Sequence, residues 1–139
     1  MYHGEIEKSI SFLLEKSAKA VFAGLNIHPP HFPEIKAEIE IPKYKSHGDL
    51  STNIAMRASK IAKRPPVEFA ELLKPKLEAA LLASELRDAI ERIEIKHPGF
   101  MNFHLSKSYL AKVLLEIKRK KNNYGCSSIG RGVKLQVEF

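Results

Sequence analysis

Ile6, Ile10, Leu13, Leu14 and Val21, with the small Ser17 between them, recur at the three-to-four spacing of one helix face. The pattern predicts an amphipathic helix over Glu5–Gly24, with Gly24 as its stop. Leu25–Pro33 carries Pro29, Pro30 and Pro33 and reads as a loop. Ile35, Ala37, Ile39 and Ile41 then alternate with Lys36, Glu38 and Glu40, the period of a half-buried strand. Past Pro42–His47, in Gly48-Asp49-Leu50-Ser51-Thr52-Asn53, Asp49 or Ser51 is placed to cap a helix whose face is Ile54, Ala55, Ala58, Ile61 and Ala62.

Pro65-Pro66 breaks that helix and starts another, because a proline in a first turn forfeits no hydrogen bond. Its predicted buried stripe is Phe69, Leu72, Leu73 and Leu77, and Pro75, several residues inside, is expected to kink or interrupt it. A short helix through Leu86–Ile90 is expected next. Ile93 and Ile95 alternate with Glu94 and Lys96, Pro98-Gly99 turns the chain, and Phe100–Leu105 runs extended, which together read as a hairpin. Ser106 caps a final helix with the apolar stripe Tyr109, Leu110, Val113, Leu114 and Ile117. Asn122–Gly132 is glycine-rich and reads as a linker, and Val133–Phe139 alternates like a strand. That strand either opens a further domain or forms an edge of the same sheet.

Composition narrows the class. A chain of 139 residues with 44% apolar and 28% charged positions is sized for one domain with its own core. Its single cysteine, Cys126, excludes a disulfide framework or paired-cysteine site within the chain and suits a reducing, cytoplasmic setting. No apolar run reaches the length of a membrane span. The net charge of +7 is local, because Ser106–Lys134 holds eight of the 23 basic residues and one of the 16 acidic ones, leaving 15 of each elsewhere. Such a segment suits a polyanionic partner, and equally a solvated helix ending in a cationic turn.

Catalytic and metal-binding patterns are weak. Gly125–Gly132 resembles a phosphate loop but lacks the Lys-Ser/Thr ending and lies between helix and strand in the wrong order. His28-Pro29-Pro30-His31 has no third ligand nearby. Glu38 and Glu40 sit among lysines, and Cys126 has no histidine base near it in sequence. The hairpin is more suggestive, because alternation puts Phe100, Asn102 and His104 on one strand face and Met101 and Phe103 on the other. An aromatic ring, an amide and an imidazole in a row can stack on an unpaired base and bond its edge. The same spacing also suits Phe100 as a core residue.

Three ordered segments, Gly48–Met56, Ile61-Ala62-Lys63 and Pro98-Gly99-Phe100-Met101-Asn102-Phe103, resemble the N-terminal additional domain of arginyl-tRNA synthetases. The resemblance covers essentially the whole chain, and Val133–Phe139 is similar to that family's first catalytic strand. It implies an α+β fold with helices packed on one face of a small, mainly antiparallel sheet. It implies residues 1–121 as a domain recognising the D-loop of tRNA(Arg), 122–132 as linker, and 133–139 as the first strand of a catalytic domain. Phe100 and Asn102 match the positions that stack on and bond a D-loop base, with Phe103 and His104 as secondary candidates. Lys107, Lys112, Lys118 and Arg119 would contact the tRNA backbone. ATP and magnesium would serve the full-length ligase, and this stretch alone would be inactive. A basic RNA- or protein-interaction module without base readout is the alternative. Gly48 and Asp49 are assigned to the turn and the helix cap, and Asn102→Ala is expected to leave folding intact.

Overall fold

The first predicted helix forms as α1, His3–Gly24, and buries Ile6, Ile10, Leu14, Ser17, Ala18, Val21 and Phe22 along one side. The structure, a computed structural model, describes residues 3–28, 35–128 and 130–136. Pro29, Pro30, His31 and Pro33 of the predicted loop, Ile129, and the strand residues 137–139 lie outside the described residues. The remaining main elements are β1 (Leu50–Thr52), α2 (Ile54–Ala62), α3 (Pro66–Leu82), β2 (Ile90–Lys96), β3 (Phe100–Leu105) and α4 (Lys107–Lys120). Single 3-10 turns occupy Lys45–His47 and Lys121–Asn123.

The strands form one antiparallel sheet in the order β1-β3-β2, so the architecture is α+β as expected. Met101, Phe103 and Leu105 of β3, with Leu50 and Ile93 beside them, face a core completed by α1, α2 and α3. The Phe22 and Phe69 rings meet there at 5.3 Å between centroids, tying α1 to α3. Gly99 follows the cis His97–Pro98 bond, and a Cβ on it would come within 2.7 Å of Pro66 Cβ, so a side chain is excluded where the hairpin turn meets the start of α3.

Several expectations need correction. α3 runs through Pro75 without interruption, because Leu77 and Leu81 beyond the proline continue the buried stripe of Phe69 and Leu73. Burying two leucines, at about 1.5–3 kcal/mol each, offsets the ~3 kcal/mol that an internal proline costs. Leu72 lies a step around the helix from that stripe and is 37% exposed. The predicted helix at Leu86–Ile90 is a run of turns leading into β2. Ser84 Oγ donates to Leu81 O and accepts from Leu86 N, so its hydroxyl serves backbone groups that a helix would have paired.

The Ile35–Ile41 segment keeps the predicted in-out alternation only as far as Glu40, with Ile41 exposed, and joins the sheet at a single bridge, Glu40 to Ser51. Side chains bind part of its remaining backbone: Ser11 Oγ donates to Ala37 O, Ala37 N donates to Glu15 Oε1, and Arg57 donates to Lys36 O. At the far end, residues 133–136 belong to none of the three strands of the described sheet.

Asp49 and Ser51 do not cap α2. The Asp49 carboxylate accepts from Leu105 N at 2.8 Å while Asp49 N donates to Phe103 O at 2.9 Å, so this residue clips the chain to β3 just before β1. Gly48 makes that clip possible with φ +88°, and a Cβ on it would lie 2.7 Å from Phe103 O. Gly48→Ala should therefore lower stability by about 1–3 kcal/mol, read as a lower urea midpoint. Gly24→Ala, which meets no atom within 4 Å, should leave stability equal or slightly raised.

Candidate nucleic-acid interface

Because the helices take the Met101, Phe103 and Leu105 side of β3, the alternate residues Phe100, Asn102 and His104 point to the outer face. Register brings their neighbours to the same face: Lys96 beside Phe100, Glu94 and Ser51 beside Asn102, and Arg92 beside His104. With the Glu40 bridge, Glu40, Ser51, Asn102 and Glu94 make one polar row across the sheet.

Residues of the 40–47 segment rim that face. Together with Ser51, Lys96, His97, Phe100 and Asn102 they enclose a cavity of about 660 Å³. Asn102 is only 2% exposed there, although it lies on the outer side of the sheet. Ser51 Oγ donates to its Oδ1 at 2.7 Å. The cavity's apolar lining is open to solvent, with Phe100 37%, Tyr44 59% and Ile41 70% exposed. The Tyr44 ring stands edge-on to His47 at 5.7 Å, and Lys43 Nζ lies 5.7 Å from the Tyr44 ring centre. Accessible rings, a recessed amide and flanking cations form a combination that can take an unpaired base by stacking and edge hydrogen bonding.

The sequence candidates divide accordingly. Phe100 and Asn102 come together at this cavity. Phe103 has no exposed surface and belongs to the core, because the strand period sends it to the helix side. His104 shares the outer face but does not line the cavity. Its Nδ1 lies 3.3 Å from an Arg92 nitrogen, and its Nε2 lies 3.5 Å from Glu94 Oε2, near enough for an ion pair when the ring is protonated but without a hydrogen bond. Lys96 Nζ, 3.0 Å from Glu94, holds that carboxyl below its usual range, first by hydrogen bonding and also by its charge, with His104 and Arg92 adding to the effect.

Lys107, Lys112, Lys118 and Arg119 are exposed on α4, outside the cavity lining. Ser106 caps this helix as expected, its Oγ accepting from Tyr109 N at 3.1 Å. The predicted apolar stripe is not buried: Tyr109 is, and Val113 is partly so, but Leu110, Leu114 and Ile117 are exposed. The helix leaves the domain beyond its first turns, so amphipathic spacing here has no core to meet. Lys120 pairs with Glu116 at 2.8 Å and, chiefly through that hydrogen bond, pulls its carboxyl down to about 2. The cationic side chains at the cavity are instead Lys43 and Lys96; the sequence marked neither these nor Tyr44 and His47 as site residues, and Ser51 stood out only as a helix cap. The only local hint was an aromatic and basic Pro42–His47 stretch, which reads as an ordinary loop until its packing against the sheet is known.

The family described as arginyl tRNA synthetase N terminal domain matches residues 4–105. An arginine–tRNA ligase of Acetivibrio thermocellus is 41% identical over 135 residues, 96% of this chain and 22% of that protein. An arginine–tRNA ligase of Geobacillus thermodenitrificans is 39% identical over 127 residues, 91% of this chain and 21% of that protein. Arginine–tRNA ligase 1 of Halalkalibacterium halodurans is 45% identical over 101 residues, 73% of this chain and 17% of that protein. The chain thus spans about a fifth of the length of these relatives.

The burial of Asn102 changes one expectation. Its replacement by alanine leaves the Ser51 hydroxyl without its acceptor, so Asn102→Ala should cost about 1 kcal/mol of stability, measured by urea unfolding, rather than leave folding untouched.

Proposed function

The chain belongs to the arginyl-tRNA synthetase N-terminal domain family, and from that premise we propose that it is the tRNA-recognition domain of an arginine–tRNA ligase acting in the cytoplasm. The whole enzyme joins arginine to tRNA(Arg) through an arginyl-adenylate formed from ATP. The part assigned to this chain is contact with the D-loop, and ATP and magnesium are assigned to the rest of the enzyme. Among the described residues no three histidine, cysteine or carboxylate side chains gather as a metal site would require. Residues 122–132 are assigned as linker and 133–139 as the first strand of the catalytic domain. No helix among the described residues is long and apolar enough to cross a membrane.

The observation that carries the D-loop reading is the cavity, where Phe100 and Asn102 converge from alternate positions of one strand. Phe100 supplies the stacking surface, Tyr44 offers a second ring on the same cavity, and the amide of Asn102 reads the base edge. Phe103 has no part in it. The α4 cations Lys107, Lys112, Lys118 and Arg119 bind phosphates, which position the tRNA without reading sequence.

The test is the affinity of the chain for an arginine tRNA and for versions altered at each unpaired D-loop position, across a salt series. Asn102→Ala should weaken discrimination at one position by about 1–3 kcal/mol. Equal losses on every D-loop version would defeat base readout. Lys112→Ala should weaken all tRNAs alike and reduce the salt slope by about 1. Salt-sensitive binding with no positional preference would point to the basic-module alternative.

A further inference from the structure

Asn102 could meet a base with either end of its amide, since its oxygen accepts and its nitrogen donates. Its surroundings choose between them. Ser51 Oγ donates to Oδ1 at 2.7 Å, the pair is buried, and this is the one hydrogen bond that its side chain makes to the described residues. Ser51 is itself held firmly. Its N–H donates to Glu40 O and its C=O accepts from Glu40 N, both at 2.8 Å, and it sits directly across from Asn102 in the β1–β3 register. The hydroxyl is therefore delivered to the amide oxygen by two strands and a bridge rather than by a flexible loop. With that oxygen drawn toward β1, the NH₂ group remains to donate. The amide NH₂ makes no hydrogen bond to the described residues, and Asn102, 2% exposed, lines the cavity floor, where that donor is left to meet a ligand.

We propose that Ser51 is a positioning residue for base recognition: by fixing the Asn102 amide it presents an N–H donor, and the site selects a base edge with a ring nitrogen or carbonyl acceptor at that point over one carrying an amino group there. This rests on the D-loop reading above and adds the polarity of the contact and the residue that sets it. The amide stands ready before the tRNA arrives, so the chosen edge need not pay for turning it. An amino group at the same point would meet another donor and leave both unpaired in a recessed site, the arrangement by which a polar pocket rejects a near match.

The experiment compares wild type, Ser51→Ala, Ser51→Thr and Asn102→Asp for binding to an arginine tRNA and its D-loop variants, with unfolding midpoints measured on each protein. At the position that wild type discriminates, a further tRNA has the acceptor of the preferred base replaced by C–H. Wild type should lose at least about fivefold in affinity on that atomic change, the factor of one neutral hydrogen bond. Ser51→Ala should lose most of this preference, and Ser51→Thr, which keeps the hydroxyl, should restore it. Asn102→Asp keeps an acceptor for Ser51 but has no N–H to donate and should show no preference, while its unfolding midpoint reads the cost of a recessed carboxylate beside Glu94. A merely structural Ser51 would lower the midpoint and all affinities together with the preference intact, and that result overturns the proposal. So does a wild type that binds the C–H version equally while still discriminating bases in an Asn102-dependent way, which leaves the D-loop reading standing. A wild type that discriminates no D-loop position removes both.

Discussion

β3 lies between β1 and β2, and its alternation is the constraint on which the rest of this structure depends. Each second residue must enter the core, and Met101, Phe103 and Leu105 do so. The residues between them have no choice but the outer face, whatever their polarity. Burying the inner three, at roughly 1.5–3 kcal/mol for each fully buried side chain, sets the register so strongly that a one-residue slip would reverse both faces. The candidate recognition surface is thus a by-product of core formation. Phe100 and Asn102 take their places on that face from the same register that buries the core residues beside them.

The same constraint explains why Gly48 and Asp49, which open one of the family-like segments, serve the scaffold. Gly48 and Asp49 bring the chain against β3, one by a left-handed turn and the other by taking Leu105 N into its carboxylate. Ser51 follows two residues later and faces Asn102, which places a polar pair inside an otherwise open groove. A buried polar pair needs satisfied partners to be tolerated, and here the strand pairing supplies them. Around it the 40–47 segment contributes exposed rings and cations, so a recessed polar floor lies under a solvent-facing rim.

α4 follows a different logic. It is capped and basic, but only its first turns meet the core, and several leucines remain exposed. Helical periodicity records that one face is apolar and says nothing about what packs on it.

Local pattern was enough to reveal α1, α2, the β2–β3 hairpin and the Ser106 cap, because each is specified by neighbours three or four positions away or by simple alternation. It was enough, too, to sort Phe100 and Asn102 from Met101 and Phe103, and three ordered segments carried the family resemblance. Tertiary structure decided what depends on distant partners. Leu77 and Leu81 keep α3 intact across Pro75 by burial, and Ser11, Glu15 and Arg57 draw Ile35–Ile39 away from the sheet. The recess over Asn102 exists because residues far apart in sequence, Tyr44, Ser51 and Lys96 among them, are assembled around it. Periodicity reports which side of an element is apolar. Only packing determines what lies across from it, because that depends on contacts between residues tens of positions apart.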